Sequence, residues 1–387
     1  MVVNANPEVL KWARESAGLN IEQATKKLKF KDPEKLGRLE FGNEKPSRKI
    51  LSDMSKIYRR SLLVFYLKKI PITSSKGNDF RTLPEDYRPD LNFDSFIRDI
   101  HIRQSILKEA IEEEEDFTPI SFKQKINFSM NVITVSKIIQ ELFEFTHNDI
   151  DRIKDPDELF KFLRNKIESK GIFVILAGNL GSHHTDIDVV SFRGVAIADE
   201  AAPFIIINDH DSHFAWSFTL LHELVHILLG ESGISNMYFE QKIEKFCNDI
   251  AAEILLPETI NLPTLENINN LQKAANLISE FAKQKNVSSS MVAYRLYQKG
   301  IIKRELWEKL AAKFKILWEQ SQISKKEKRK LNKEKGPDYY IVRRHRIGGA
   351  IIKTVKQMLQ SGNLTTIKAS KVLGVKSSNL SHLFENG

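Results

Sequence analysis

The sequence predicts an α+β fold, mainly helical, in which a small β-sheet packs on one buried apolar helix and helical domains stand at both ends. Three observations predict it. A helical run leading to Gly230 is apolar nearly all round, through Leu220, Leu221, Leu224, Val225, Ile227, Leu228 and Leu229, which demands burial. Three segments ahead of it (171–176, 189–198 and 204–207) are rich in β-branched and aromatic residues and read as strands. Elsewhere apolar residues recur at helical spacing, as in Val9, Leu10, Trp12 and Ala13.

Taken in order, residues 1–70 divide into short helices. The first runs from Pro7 to Ala17 and stops at Gly18; the second spans Ile21 to Phe30 behind Asn20 as N-cap. Pro46-Ser47 opens a longer amphipathic stretch to about Leu67. Short helices joined by tight Gly-containing turns are what a helix-turn-helix module needs. Residues 71–91, rich in Pro, Ser, Thr and Gly, form a linker, and 92–170 a helical region whose acidic run Glu112 to Asp116 is a solvated helix end. Residues 171–318 hold the sheet, the apolar helix and the helices after it. A basic linker, 319–346, is expected to be exposed, with a second helix-turn-helix-like segment at 347–387 whose turn falls at Gly374.

Charge is distributed unevenly. The total is +9, but residues 1–70 carry 16 Lys or Arg against 8 Asp or Glu, and residues 320–387 carry 15 against 4, leaving the middle at −10. Two basic ends around an acidic centre suit either polyanion-facing modules or Lys-rich solvated surfaces. Cys247 is the only cysteine, so no intrachain disulfide can form, as a reducing, cytoplasmic setting would favour. The first residues lack the pattern of a signal peptide, and no apolar run reaches the roughly 18 residues of a membrane span.

The chemistry concentrates in Leu221-His222-Glu223-Leu224-Val225-His226. Residues four apart share one helix face, so the imidazoles of His222 and His226 can reach a single ion. Zinc suits them because it accepts nitrogen ligands in a tetrahedron and imposes no geometry of its own. Glu223, next to the first ligand, is placed to take a proton from an attacking water and return it to a leaving amine. Satisfied core histidines are the competing reading, but two His and a Glu on a buried helix need partners. A third ligand is expected from downstream, and Glu244 and Glu253 are the candidates. Lying two and a half turns apart, they cannot both face the site on a straight helix. Glu244 and Asn248 form a Glu-x-x-x-Asn pair on one helix face; it resembles the pair of thermolysin-like peptidases, which implies that Asn248 orients a ligand. Tyr238, His210 and His213 are candidates for donating to an oxyanion, although a loop histidine or a surface tyrosine is the favoured reading of each. His183-His184 sits in a Gly/Ser-rich turn and is not expected to bind metal; Cys247 reads as a small buried apolar residue.

Two resemblances follow from these motifs. Leu39-Glu40-Phe41-Gly42 with Pro46-Ser47 resembles the end of an XRE-type helix-turn-helix domain. The block from Arg193-Gly194 through Asp199, Pro203 to Asn208 and Phe218 to Leu221, across the metal motif to Ala251-Ala252-Glu253-Ile254-Leu255-Leu256-Pro257, resembles the ImmA/IrrE metallopeptidases. That resemblance implies a zincin-like fold holding one zinc ion on His222, His226 and Glu244, with Glu223 as general base. It further implies a zinc-dependent endopeptidase whose protein substrate is a helix-turn-helix repressor or related regulator. The alternative is a DNA-binding transcriptional regulator that uses the peptidase fold for sensing without cutting.

The two ends offer phosphate contacts. In the N-terminal domain Lys26, Lys27, Lys29 and Lys31 can meet a backbone, yet the segment from Lys31 to Lys35 mixes charges, contains Pro33 and is short of base-edge readers. Weak, sequence-tolerant DNA binding or docking of a protein partner is expected there. In the C-terminal segment Lys376 and Asn379, with Ser377 and Ser378, stand at the reading position, although a purely structural helical pair fits equally well.

Overall fold

The computed structural model describes residues 5–17, 19–32, 34–60, 62–70, 91–120, 125–181, 185–230, 237–264, 270–331 and 338–385. The chain divides into two compact units. One comprises residues 1–76, 82–101 and 179–187, the other 77–81, 102–178 and 188–387.

The first unit opens with four short helices, α1 (Pro7–Glu15), α2 (Ile21–Lys27), α3 (Lys35–Glu40) and α4 (Arg48–Tyr58), then a 3-10 turn at Leu62–Tyr66. Side chains set their starts: Asn6 accepts from the Glu8 amide, Ser47 from that of Ile50, and Asn20 forms a reciprocal capping box with Gln23. Leu10, Ala13, Ala24, Leu36, Leu39, Leu51, Met54 and Phe65 form its core. Within it Arg14 meets Glu40 through two hydrogen bonds of 2.7 and 2.9 Å, and its third nitrogen reaches the Leu19 carbonyl. The amphipathic stretch expected to run to Leu67 breaks earlier, because Arg59 takes a left-handed conformation (φ 51°) that ends α4. The expected 71–91 linker lies outside the described residues up to position 90, and so does Pro33.

Helix α5 (Leu91–Glu112) leads into the second unit, where α6 (Val132–Leu142), α7 (His147–Arg152) and α8 (Pro156–Glu168) precede the sheet. Its strands are β1 (Phe173–Leu176), β2 (Gly194–Ile197) and β3 (Phe204–Ile207), in the order β1-β3-β2. β1 runs parallel to β3 with Phe173 opposite Phe204; β2 runs antiparallel to β3 with Gly194 opposite Ile207. Strand β2 starts later than the β-branched content of 189–198 predicts. Residues 188–192 turn instead, with the Asp188 side chain accepting from the Val190 amide and its carbonyl from Ser191.

Against the sheet packs α9 (His213–Leu229), and α10 (Met237–Leu255) packs in turn on α9 and α6. Ala215 to Leu228 of α9 are buried with the exception of Phe218, and the helix stops at Gly230 in a left-handed conformation (φ 67°). Helices α11 (Leu271–Gln284), α12 (Ser289–Gln298) and α13 (Arg304–Leu331) complete the surround.

The C-terminal helices are α14 (Tyr339–Ile347), α15 (Gly349–Ser361), α16 (Thr366–Leu373) and α17 (Leu380–Phe384). Two expectations change here. The 319–346 segment is not an open linker: α13 runs through Leu331 and α14 begins at Tyr339, since Lys, Glu, Arg and Leu are all good helix formers. The C-terminal helices belong to the same compact unit as the sheet. The fastening is the buried Arg164–Glu168 pair of α8, which closes at 3.0 Å. Arg164 donates to the carbonyls of Val174 on β1 and, at 2.6 Å, of His345 on α14, while Glu168 accepts from the Ala350 amide. Gly348 makes the elbow between α14 and α15 (φ 96°), where any Cβ would strike Arg164, Glu168 and the Val174 carbonyl.

Among the described residues no helix is long and apolar enough to cross a membrane.

Candidate metal centre

Helix α9 is buried on every side, so the polar groups it carries must find partners inside the protein. His222 and His226 are 1% and 2% exposed and stand one turn apart, their Nε2 atoms 3.1 Å from each other. Glu244 reaches in from α10. Its Oε2 lies 3.4 Å from His222 Nε2 and its Oε1 3.3 Å from His226 Nε2. Among the described residues these three side chains make the one group that could hold a metal ion. A tetrahedral ion with bonds of about 2.0–2.1 Å spaces its ligand atoms by about 3.4 Å, which is the spacing found. Glu244 Oε1 is buried and accepts no well-formed hydrogen bond, so the donor set fits a cation better than it fits its own protons.

The electrostatics agree. Burial alone would push the Glu244 carboxyl up; the close imidazoles of His222 and His226 overcome that and hold it down, at about 2. The carboxylate is thereby kept in the ionised form a ligand requires.

Glu223, 4% exposed, follows His222 directly on α9. Its carboxylate lies over Gly194, the first residue of β2. A Cβ at that position would collide with the Glu223 side chain and with the Thr219 methyl group. The close approach of strand to helix is what requires glycine there. Gly194→Ala should therefore displace Glu223 while sparing the three donor residues. We expect about a hundredfold lower turnover with metal content unchanged, since catalytic groups tolerate little displacement. Parallel kinetics and metal analysis of that variant check this; full activity would show that Glu223 needs no such seat.

The second downstream carboxylate is accounted for elsewhere. Glu253, 6% exposed, pairs with the buried Arg295 of α12 and accepts from the Glu258 amide at 3.1 Å, while Arg295 also donates to the Leu256 carbonyl. One turn earlier on α10, Asp249 accepts from Tyr294 at 2.7 Å and from Gln298. Burial and the Asp249 bond push the Tyr294 phenol far up, so it acts there as a donor. Helix α12 thus grips the second half of α10 and leaves Glu244, on the first half, to the imidazoles. Sequence reasoning missed this grip, because a pair 42 residues apart has no local signature.

The other candidates are placed as follows. Asn248 is half-buried on α10, one turn beyond Glu244. Tyr238 belongs to α10, but its side chain lies outside the described residues, as do His183 and His184. His210 sits in the turn after β3, its amide bonded to Asn208 Oδ1 at 3.0 Å. His213, a candidate oxyanion donor, is the first residue of α9, stacked on Trp216 and 2.5 Å from Asp157. It is about 13 Å along the helix axis from His222, too far to serve the same centre. Cys247 is fully buried beside the metal helix, in keeping with a packing role.

Fold and site together bring a His-His-Glu donor set and a neighbouring carboxylate into one buried centre. Residues 168–297 match the family model of the IrrE N-terminal-like domain. The radiation response metalloprotease IrrE of Deinococcus radiodurans is 39% identical over 101 residues, covering 24% of this chain and 30% of that protein. The chain therefore spans less than a third of the length of the relative it matches. No solved structure matches it.

Proposed function

We propose that the chain is a zinc-dependent endopeptidase, working in the cytoplasm, that cleaves a helix-turn-helix repressor or a related regulatory protein. The observation that carries the proposal is the meeting of His222, His226 and Glu244 at ligand spacing with Glu223 buried beside them. When bound, zinc polarises the scissile carbonyl and makes water a better nucleophile. Glu223 accepts the proton as water oxygen bonds to the carbonyl carbon, then delivers it to the nitrogen as the C–N bond breaks. Edge strand β2 supports the endopeptidase reading, because an extended segment laid along it would pass the carboxylate resting on Gly194. From the name of the Deinococcus relative we carry over the metalloprotease class. The regulator as substrate follows from the ImmA/IrrE resemblance, and the N-terminal helices, read as an XRE-type module, would dock that partner. A regulator that senses without cutting would have no use for Glu223, whose burial at the centre favours the enzyme.

The proposal is tested with the purified chain and a panel of purified small helix-turn-helix repressors from the same genome as substrates. Cleavage should stop when 1,10-phenanthroline removes the metal and return when zinc is restored. Cleavage that persists in the chelator would overturn it.

A further inference from the structure

A carboxylate that passes a proton must be held in place, and backbone holds Glu223. Its side chain rests on Gly194, so the position of Gly194 sets that of the carboxylate. Gly194 opens β2, an edge strand flanked by β3 on one side, and faces Ile207, the last residue of β3, across the ladder. A four-residue edge strand has few ladder bonds with which to fix its own first residue.

The residue that follows β3 supplies the hold. Asn208 is fully buried, at 0% exposed. Its backbone amide donates to the Arg193 carbonyl at 2.8 Å, and its side-chain Nδ2 donates to the Phe192 carbonyl at 3.1 Å. One residue thereby ties both peptide groups that lead into Gly194. The rest of Asn208 is used as well. Its Oδ1 accepts from the His210 amide at 3.0 Å, and its carbonyl accepts from the Asp211 amide at 3.1 Å. Those bonds shape the turn that carries the chain from β3 into α9, the helix bearing Glu223. Asn208 thus sits at the joint between the strand that seats the carboxylate and the helix that carries it. Gly178 leaves room for it, since a Cβ there would strike Asn208 Oδ1. The task needs a donor and an acceptor on one short side chain. Asparagine has both, whereas aspartate offers oxygens alone and would set one against the Phe192 carbonyl.

We propose that Asn208 is the positioning residue of Glu223. By holding the carbonyls of Phe192 and Arg193 it fixes Gly194, and through Gly194 the carboxylate. This rests on the endopeptidase reading of the same centre. Asn208 is not one of the three donor residues, so its effect passes through Glu223 and leaves the metal in place.

The test is a double-mutant cycle on the full chain: wild type, Asn208→Asp, Glu223→Gln and the two combined. Each is assayed on a repressor of the panel that the wild type cuts, with zinc content measured throughout. Asn208→Asp keeps the shape and the acceptor for His210 while removing the donor to Phe192. Alone it should lower kcat about ten- to a hundredfold, move KM less than about threefold and leave zinc content unchanged. On top of Glu223→Gln it should cost less than about twofold, because residues that act as a unit are not additive. A side chain that serves stability alone would cost the same factor in both backgrounds. Hydrogen exchange gives a reading that needs no cleavage. Amides in 192–197 should exchange about tenfold faster in Asn208→Asp, and those of α12 less than about twofold faster. Should Asn208→Asp fail to fold, Asn208→Ser, neutral and smaller, takes its place with the same expectations. Equal losses in both backgrounds, loss of zinc, or unchanged exchange over 192–197 would each overturn the proposal. A wild type that cuts no repressor is instead a failure of the endopeptidase reading, and exchange over 192–197 then decides by itself whether Asn208 holds the strand.

Discussion

Glu223→Gln is expected to keep the metal and the fold and to lower cleavage by about 10²–10⁴-fold. The amide has the shape of the carboxylate and the same neighbours, Gly194 and Thr219, but it cannot accept a proton. Because Glu223 is not among the three residues grouped as ligands, the loss should fall on turnover and leave zinc content untouched. A single-turnover assay with matched metal analysis reads both quantities. Cleavage at the wild-type rate would remove Glu223 from the chemistry and return its burial to packing.

The second large effect falls on stability. Glu253→Ala should destabilise the second unit by about 3–5 kcal/mol, because it leaves the guanidinium of Arg295 buried without its carboxylate. Denaturant unfolding measures the change. Replacing both partners, as Glu253→Leu with Arg295→Met, should recover much of the loss, since paired apolar side chains need no counter-charge. Folded Glu253→Ala protein should still bind zinc. A variant that keeps its stability but loses the metal would move the third ligand from Glu244 to Glu253.

That choice of ligand shows where sequence reasoning stops. The all-apolar surroundings of His222, Glu223 and His226 announced a buried helix, and α9 is buried as its composition requires. A separation of nine positions between Glu244 and Glu253 said only that a straight helix presents them to different sides. What separates them is Arg295, which arrives from α12 to claim Glu253. The same holds for the C-terminal helices. Nothing local to Gly348 reveals that Arg164, 184 residues earlier, needs the His345 carbonyl and would collide with a side chain at the elbow. Lys-rich polarity between 319 and 346 suggested a loose linker, whereas intrinsic helix preference prevailed on both sides of residues 332–337. Patterns within one element were legible in the sequence; long-range ion pairs that decide how elements meet were not.

The most direct test of the metal centre is zinc content, measured on wild-type protein and on Glu244→Ala after identical purification and dialysis. Glu244 closes a triangle of donor atoms at 3.1, 3.3 and 3.4 Å, so its removal leaves two imidazoles to hold the ion alone. The wild type should carry about one zinc per chain, as a closed three-residue donor set implies, and the variant on the order of a tenth of that or less. Full zinc in Glu244→Ala, or none in the wild type, would contradict the account.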